Sequence, residues 1–153
     1  MIYLKYYIDN RQSKYEITEE LEKLLELVIN EALMVEGISK DYEVSISFVE
    51  NSEIRELNRE YRGVDSETDV LSFPMEDEFE ISTLLLGDII ISIERAKEQS
   101  LEYGHTLERE IAYLTAHSMF HLMGYDHMNE EEKKIMRNKE KQVMKNLGIF
   151  KEK

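Results

Sequence analysis

The stretch TAHSMFHLMGYDHMNEEE, residues 115–132, holds three of the four histidines of this 153-residue chain. His117 and His121 are four residues apart, so on a helix they project from one face with their Cβ atoms about 6 Å apart. Gly124 can adopt the left-handed backbone conformation that ends a helix sharply, and Tyr125 and Asp126 alone separate it from His127. The spacing therefore predicts that three imidazole rings converge on one point.

Convergent imidazoles indicate a metal site. A lone histidine in a buried helix is more often a hydrogen-bonded core residue than a ligand, but three within residues 117–127, with a glycine break between them, favour metal binding. The chain has no cysteine, which excludes thiolate ligands and disulfides. Three nitrogen ligands leave a fourth tetrahedral position open, as in catalytic zinc sites. We predict one Zn²⁺ ion on His117, His121 and His127, a site that nickel or copper would also accept.

The composition is that of a folded domain with a strongly acidic surface. The chain is 42% apolar and 34% charged, and its 33 acidic and 19 basic residues give a net charge of -14. This charge argues against a protein that coats nucleic acid, but it leaves room for an enzyme that handles a short piece of RNA at one basic spot. No apolar run reaches the roughly 20 residues of a membrane span, and MIYLKYYIDN lacks the blocks of a signal peptide. We expect a single cytoplasmic domain over residues 1–153.

Apolar periodicity predicts the element order β-α-β-α-β-β-α-α-α. The segment LLLGDIIISI, residues 84–93, fits either one buried strand with a bulge at Gly87 or a hairpin that turns at Gly87 and Asp88. The other strands are predicted near residues 2–8, 44–48 and 68–74, and the helices near residues 18–37, 51–63, 94–104, 106–124 and 129–148. This order predicts an α+β fold in which a small mixed four-stranded sheet packs with about five helices. A buried helix and the loop after it are expected to form the metal site.

The helix predicted over residues 51–63 has apolar, basic and acidic faces about a third of a turn apart. We expect its apolar face, Ile54, Leu57 and Tyr61, to pack against the core. The basic face has two interpretations, because arginines can bind phosphate oxygens or can pair with nearby glutamates. That face consists of Arg55, Arg59 and Arg62.

Three segments resemble the YbeY-type rRNA maturation endoribonucleases. The run H-S-M-F-H-L-M-G-Y-D-H at residues 117–127 is similar to the family motif H-G-x-L-H-L-x-G-Y-D-H. The segments LNREYRGVDSETDVLSFP and LLGDIIIS match in order and spacing, so the resemblance covers about residues 44–148. Ser118 and Phe120 replace the usual Gly and Leu, and Ser66 and Glu67 replace a common Lys-Pro pair, but no metal ligand is lost.

The resemblance implies a metal-dependent endoribonuclease that prefers single-stranded RNA. It implies a role in maturation of the 3′ end of small-subunit (16S) rRNA and in ribosome quality control. The implied zinc ligands are His117, His121 and His127, the implied catalytic arginine is Arg62, and residues 84–93 are implied to form one strand. The implied partners are single-stranded RNA and the small ribosomal subunit or its proteins, with neither DNA nor a membrane among them.

Two other functions stay open. A metallohydrolase of another class, such as a peptidase, would need a general base from elsewhere, because Ser118 stands where the H-E-x-x-H metalloproteases have their glutamate. A zinc-stabilised module without enzymatic activity would instead dock its acidic surface on basic ribosomal proteins.

The polar residues near these motifs have more than one interpretation. Asp126 either orients a ligand histidine or caps the turn after Gly124. Asp88 either meets an arginine near the site or binds the backbone at a bulge. The role of Asp69 is undecided, and His105 is expected at the surface or in a helix cap.

Overall fold

The computed structural model of the protein describes residues 5–38, 42–74, 85–126 and 128–149. Within these ranges the four strands and five helices follow the predicted order, which confirms the α+β fold. They are β1 (Lys5–Asn10), α1 (Glu19–Val35), β2 (Glu43–Val49), α2 (Asn51–Arg62), β3 (Val70–Pro74), β4 (Leu85–Ser92), α3 (Ile93–Tyr103), α4 (Leu107–Leu122) and α5 (Glu130–Asn146).

The strands form one mixed sheet in the order β1-β2-β4-β3. Strands β1, β2 and β4 run parallel, while β3 lies antiparallel to β4 at the edge of the sheet. Pro74 ends β3, and a proline is tolerated there because an edge strand needs fewer backbone donors. The segment LLGDIIIS is one strand with a bulge, since Glu43 pairs with Leu85 and Val44 pairs with Gly87. The hairpin interpretation of this segment is therefore wrong.

Helix α4 lies at the centre of the core. It packs against α1, α3, α5 and the β3–β4 edge of the sheet. Its sequence predicted burial on most sides, and the structure confirms this with ten buried residues along the helix. Among them are Ile111, Ala112, Leu114, Ala116, Met119 and Phe120. Within the described ranges, none of the helices combines the length and apolarity needed to cross a bilayer.

Helix α2 packs against β3 and β4 through a second, smaller apolar cluster. Ile54 is buried in this cluster, and Leu57 is partly buried beside it. Tyr61, predicted to face the core, is instead 63% exposed. Asn58 is buried in its place, because it lies one turn after Ile54 and its side-chain amide donates to the backbone carbonyl of Ser66 at 3.0 Å. The buried face of α2 is therefore rotated away from Tyr61.

Gly87 allows β4 to approach both β3 and the end of α4. Its φ is +155°, and a Cβ atom built on it would lie 2.5 Å from the carbonyl oxygen of Phe73 and 2.7 Å from Cδ2 of Leu122. Leu122 directly follows His121, so this close approach sets the position of the α4 terminus against the sheet.

We expect Gly87→Ala to lower the free energy of unfolding by about 3 kcal/mol, because a methyl group there meets backbone and core atoms as well as an unfavourable φ. Urea denaturation measures the change. Gly104→Ala is the matched control, since Gly104 has φ +70° but a Cβ atom built on it would meet no atom within 4 Å. It should cost only about 1 kcal/mol from backbone strain, and equal losses in the two variants would contradict the steric argument.

Candidate metal centre

The end of α4 carries His117 and His121 into a sharp reversal of the chain. Thr106 caps the start of the helix, and its side chain accepts from the backbone N–H of Arg109. Gly124 has φ +100°, and the next backbone N–H, that of Tyr125, donates back to the carbonyl of Phe120 at 2.9 Å. The predicted glycine bend after the helix is therefore present.

The imidazoles of His117 and His121 converge as their spacing predicted. Their Nε2 atoms lie 3.2 Å apart, and the rings meet edge to face with centroids 4.6 Å apart. The Nδ1 atom of His121 lies 3.0 Å from the backbone carbonyl of Tyr125, and that of His117 lies 2.6 Å from a carboxylate oxygen of Glu140. Carbonyl and carboxylate oxygens accept hydrogen bonds, so each Nδ1 carries a proton and each Nε2 faces the other ring.

This arrangement fits a transition-metal ion. The Nε2 atoms of His117 and His121 lie 3.2 Å apart. Two nitrogens bound to one tetrahedral zinc ion at about 2.0–2.1 Å are themselves about 3.3 Å apart. His127, the third predicted ligand, lies outside the described residues, and in the described part of the chain no three candidate ligands gather around one point. The three-histidine set therefore stays a prediction.

Glu140 supports His117 from helix α5. It is 2% exposed, and its second carboxylate oxygen accepts from the hydroxyl of Tyr113 at 2.8 Å. The ring of Tyr113 stacks beside that of His117, with centroids 6.3 Å apart. Burial raises the pKa of Tyr113, and the negative charge of Glu140 raises it further. Tyr113 therefore keeps its proton at neutral pH and donates to Glu140.

The sequence analysis missed Glu140 and Tyr113. Glu140 is one of 33 acidic residues and lies 23 positions after His117, so local spacing did not connect the two. A signal was present in α5, where Glu140 interrupts a buried stripe of Met136, Val143 and Met144. A carboxylate on an apolar stripe needs a polar partner in the interior.

Arg62 lies in the same cleft as the two histidines. The cleft has a volume of about 800 Å³, and its walls include Arg62, His117 and His121. Arg62 is the last residue of α2, and its Nη1 makes a long contact of 3.4 Å with the side-chain oxygen of Asn58. The structure therefore brings together three of the four predicted site residues, while their roles stay predictions.

The other two arginines of α2 are paired with carboxylates. Arg55 binds Asp65 at 2.9 Å, and Arg59 binds Glu56. Arg62 forms no ion pair within the described ranges, so it differs from its neighbours. The pairing interpretation is confirmed for Arg55 and Arg59.

The three aspartates occupy different surroundings. Asp69 joins β3 to α3, because it accepts from the backbone of Val70 at 2.8 Å and from the side chain of Gln99 at 3.1 Å. Asp126 is exposed on the wall of the cleft, and its function stays undecided. Asp88 is exposed in a separate cavity, and its carboxylate makes neither of the predicted bonds to any residue that the structure describes.

His105 is not the surface residue that the sequence suggested. Its side chain is only 10% exposed, and its Nε2 lies 2.9 Å from the buried carboxylate of Glu110. Thr106 provides the helix cap instead. The reason is that Glu110, buried in the first turn of α4, needs a polar partner.

Comparison with known proteins agrees with the motifs. The profile of a family described as Endoribonuclease YbeY matches residues 7–148. The chain belongs to the YbeY family. Two relatives named endoribonuclease YbeY, from Finegoldia magna and Clostridioides difficile, are each 54% identical to this YbeY-family chain. Both alignments cover 95% of this chain, and they cover 95% and 97% of the relatives.

A solved structure supports the same family fold. The solution structure of a Thermotoga maritima protein is similar to this YbeY-family chain, with a TM-score of 0.57 and 26% sequence identity. The match covers 94% of this chain and 91% of the other. The family resemblance of the three sequence motifs is therefore confirmed.

We expect Glu140→Ala to lower the free energy of unfolding by about 3 kcal/mol, because it leaves the Nδ1–H of His117 and the hydroxyl of Tyr113 without their acceptor. Tyr113→Phe removes one hydrogen bond and should cost about 1 kcal/mol. Urea denaturation with EDTA present measures both values without a contribution from bound metal. If the losses of unfolding free energy in Glu140→Ala and Tyr113→Phe add fully in the variant with both changes, the two side chains are not coupled.

Proposed function

We propose that this chain is a metal-dependent endoribonuclease that cleaves single-stranded RNA. The observation that carries the proposal is one cleft in which the Nε2 atoms of two histidines converge beside an arginine that has no ion pair among the described residues. The names of the relatives support the same activity. We further propose that the substrate is the 3′ end of the small-subunit (16S) rRNA and that the protein acts in ribosome quality control in the cytoplasm, as the sequence motifs suggest.

We propose that His117, His121 and His127 hold the ion, with zinc as the first choice. When bound, such an ion lowers the pKa of a water ligand towards about 7 and polarises a phosphoryl oxygen. Glu140 and the carbonyl of Tyr125 keep two of the rings in the tautomer that presents Nε2. Partners of this kind also raise the basicity of a ligand histidine.

Arg62 is the proposed phosphate-binding group. Cleavage of a phosphodiester places additional negative charge on the non-bridging oxygens, and a guanidinium offers a planar fork of donors to them. Arg62 suits this role better than Arg55 or Arg59, because those two already bind carboxylates.

The net charge of -14 also bears on how the substrate is held. Most of the surface repels RNA, so affinity has to come from the cleft itself or from a partner that presents the RNA. We propose the small ribosomal subunit or its proteins as this partner.

A peptidase of the H-E-x-x-H type is disfavoured. Ser118, at the position of the catalytic glutamate of those enzymes, is buried and lies 2.9 Å from the hydroxyl of Ser72. Its side chain therefore packs between α4 and β3. Digestion of casein by a metal-loaded sample that leaves RNA intact would favour the peptidase.

We expect His117→Ala and His121→Ala to lose most of the bound zinc and all measurable RNA cleavage, because each removes a ligand. Metal content is measured by mass spectrometry after gel filtration. His105→Gln is the matched control, since His105 pairs with Glu110 and is absent from the walls of the cleft. Treatment with EDTA should abolish cleavage and added Zn²⁺ should restore it. Full activity of His117→Ala would place the nuclease site elsewhere.

We expect Arg62→Ala to retain its metal and to lower kcat/KM for RNA cleavage about 100-fold, through loss of donors to the charged transition state. Arg59→Ala is the matched control, because Arg59 is exposed on the same helix but pairs with Glu56. The kcat/KM of Arg59→Ala should stay within about threefold of the wild-type value, because a surface ion pair contributes little free energy. Normal cleavage by Arg62→Ala would refute its phosphate role.

We expect Glu140→Gln to weaken zinc binding about 10-fold or more while the fold stays intact. A glutamine can still accept from His117 and can donate to the hydroxyl of Tyr113, so it removes the charge but keeps the hydrogen bonds. Competition with a chromophoric chelator measures affinity, and urea denaturation of the metal-free protein measures stability. Unchanged zinc affinity would show that the carboxylate charge does not act on His117.

A further inference from the structure

Tyr61 is an exposed aromatic residue on the wall of the cleft that contains the histidines. It lies in the last turn of α2, directly before Arg62, and 63% of it is exposed. Its ring contacts Phe73 of β3 edge to face, with centroids 5.3 Å apart and planes at 64°. The ring is therefore supported at one side while most of its surface stays open to solvent.

Tyr61 and Phe73 together form an aromatic ridge between two cavities. Both residues line the cleft of about 800 Å³ with the histidines, and both line a neighbouring cavity of about 500 Å³ on the open face of the sheet. The second cavity is also lined by polar, charged and apolar side chains, which are Ser45, Ser47, Asp9, Arg11, Asp88, Leu57 and Ile90. A chain molecule that leaves the histidine cleft on this side has to pass the ridge.

The side chains of Arg62 and Tyr61 suit the phosphate and the base of a nucleotide, respectively. Arg62 offers donors for a phosphate, and Tyr61, the adjacent residue, offers a flat ring with two rotatable side-chain angles and hence a small entropy cost on binding. Aromatic side chains beside cationic groups are the usual platform for unpaired bases, and stacking tolerates any base because each has a π face.

We propose that Tyr61 stacks on a nucleobase of the single-stranded RNA substrate, next to the phosphate that Arg62 binds. This inference rests on the proposed function and deepens it. Bases in a duplex are stacked on one another and paired, so they cannot reach an aromatic ring without a large distortion. The ridge thus provides a physical basis for selecting single strands.

The stacking contact should act on binding rather than on the chemical step. A base stacked on Tyr61 is bound in the ground state and in the transition state alike, so loss of the ring raises KM and leaves kcat nearly unchanged. Loss of Arg62, by contrast, lowers kcat. This difference separates a substrate-binding residue from one that stabilises the transition state.

The test uses the full chain loaded with zinc and a short single-stranded oligoribonucleotide. Tyr61→Ala and Tyr61→Leu should raise KM about 10-fold with kcat within about twofold, while Tyr61→Phe keeps the wild-type KM. Leucine retains an apolar contact with Phe73 but has no ring, so it separates stacking from packing. Tyr103→Ala is the control, because Tyr103 is half exposed at the end of α3 and is absent from the walls of both cavities.

A scan with abasic nucleotides identifies the stacked base. At one position, loss of the base should raise the wild-type KM about 10-fold and should have no further effect on Tyr61→Ala, since the two changes remove the same contact. The inference is overturned if Tyr61→Ala has the wild-type KM. It is also overturned if an abasic nucleotide raises the KM of the wild type and of Tyr61→Ala equally at every position.

Binding without cleavage distinguishes this inference from the proposed function. Fluorescence anisotropy with the metal-free protein and the same oligoribonucleotide should show about 10-fold weaker binding by Tyr61→Ala. If the wild type binds RNA with this dependence on Tyr61 but never cleaves it, stacking stands and the endoribonuclease proposal fails. If the wild type cleaves and Tyr61→Ala binds equally well, the stacking inference fails alone. A wild type that neither binds nor cleaves RNA overturns both.

Discussion

The hydrogen bonds to the Nδ1 atoms of His117 and His121 determine the orientation of the two imidazole rings in the candidate metal site. An imidazole without such a partner can rotate and can exchange its tautomer. Here a buried carboxylate binds one ring and a backbone carbonyl binds the other, so the two Nε2 atoms face each other 3.2 Å apart. Two nitrogens at this separation match the spacing of two ligands on one tetrahedral ion, so the rings already have the orientation that the proposed metal site requires.

This arrangement ties the site to the core of the fold. Glu140 belongs to α5, and the carbonyl of Tyr125 belongs to the reversal after Gly124, so the two rings are held by different segments. Gly87 lets the β3–β4 edge approach the end of α4, and Ser118 meets Ser72 across that contact. The cleft consequently lies between the end of a central helix and an edge strand, with α2 forming its outer wall.

The charge distribution leaves this acidic chain a place suited to a phosphate group. Two of the three arginines of α2 are neutralised by carboxylates, and the third lies in the cleft. Of the three arginines of α2, Arg62 is therefore the one placed to bind a phosphate in the cleft. The exposed ring of Tyr61 beside it adds an uncharged contact, which the net charge of -14 does not weaken.

The spacing of residues along the chain was sufficient to predict the element order, the glycine bend, the convergence of His117 with His121 and the family. Each of these depends on helix and strand periods, or on residues that lie within a few positions of one another. Residues 84–93 were ambiguous on periodicity alone, because a buried strand and a hairpin share the same apolar pattern; pairing with β2 decided it. The predictions for Tyr61 and His105 were wrong for a related reason. Asn58 binds the backbone carbonyl of Ser66 and Glu110 binds His105, and no local sequence pattern reveals these contacts. Only the tertiary structure selected Glu140 from 33 acidic residues, because that choice depends on which distant side chains come within hydrogen-bonding distance. The family resemblance already implied Arg62, and the structure added that Arg55 and Arg59 are paired with carboxylates.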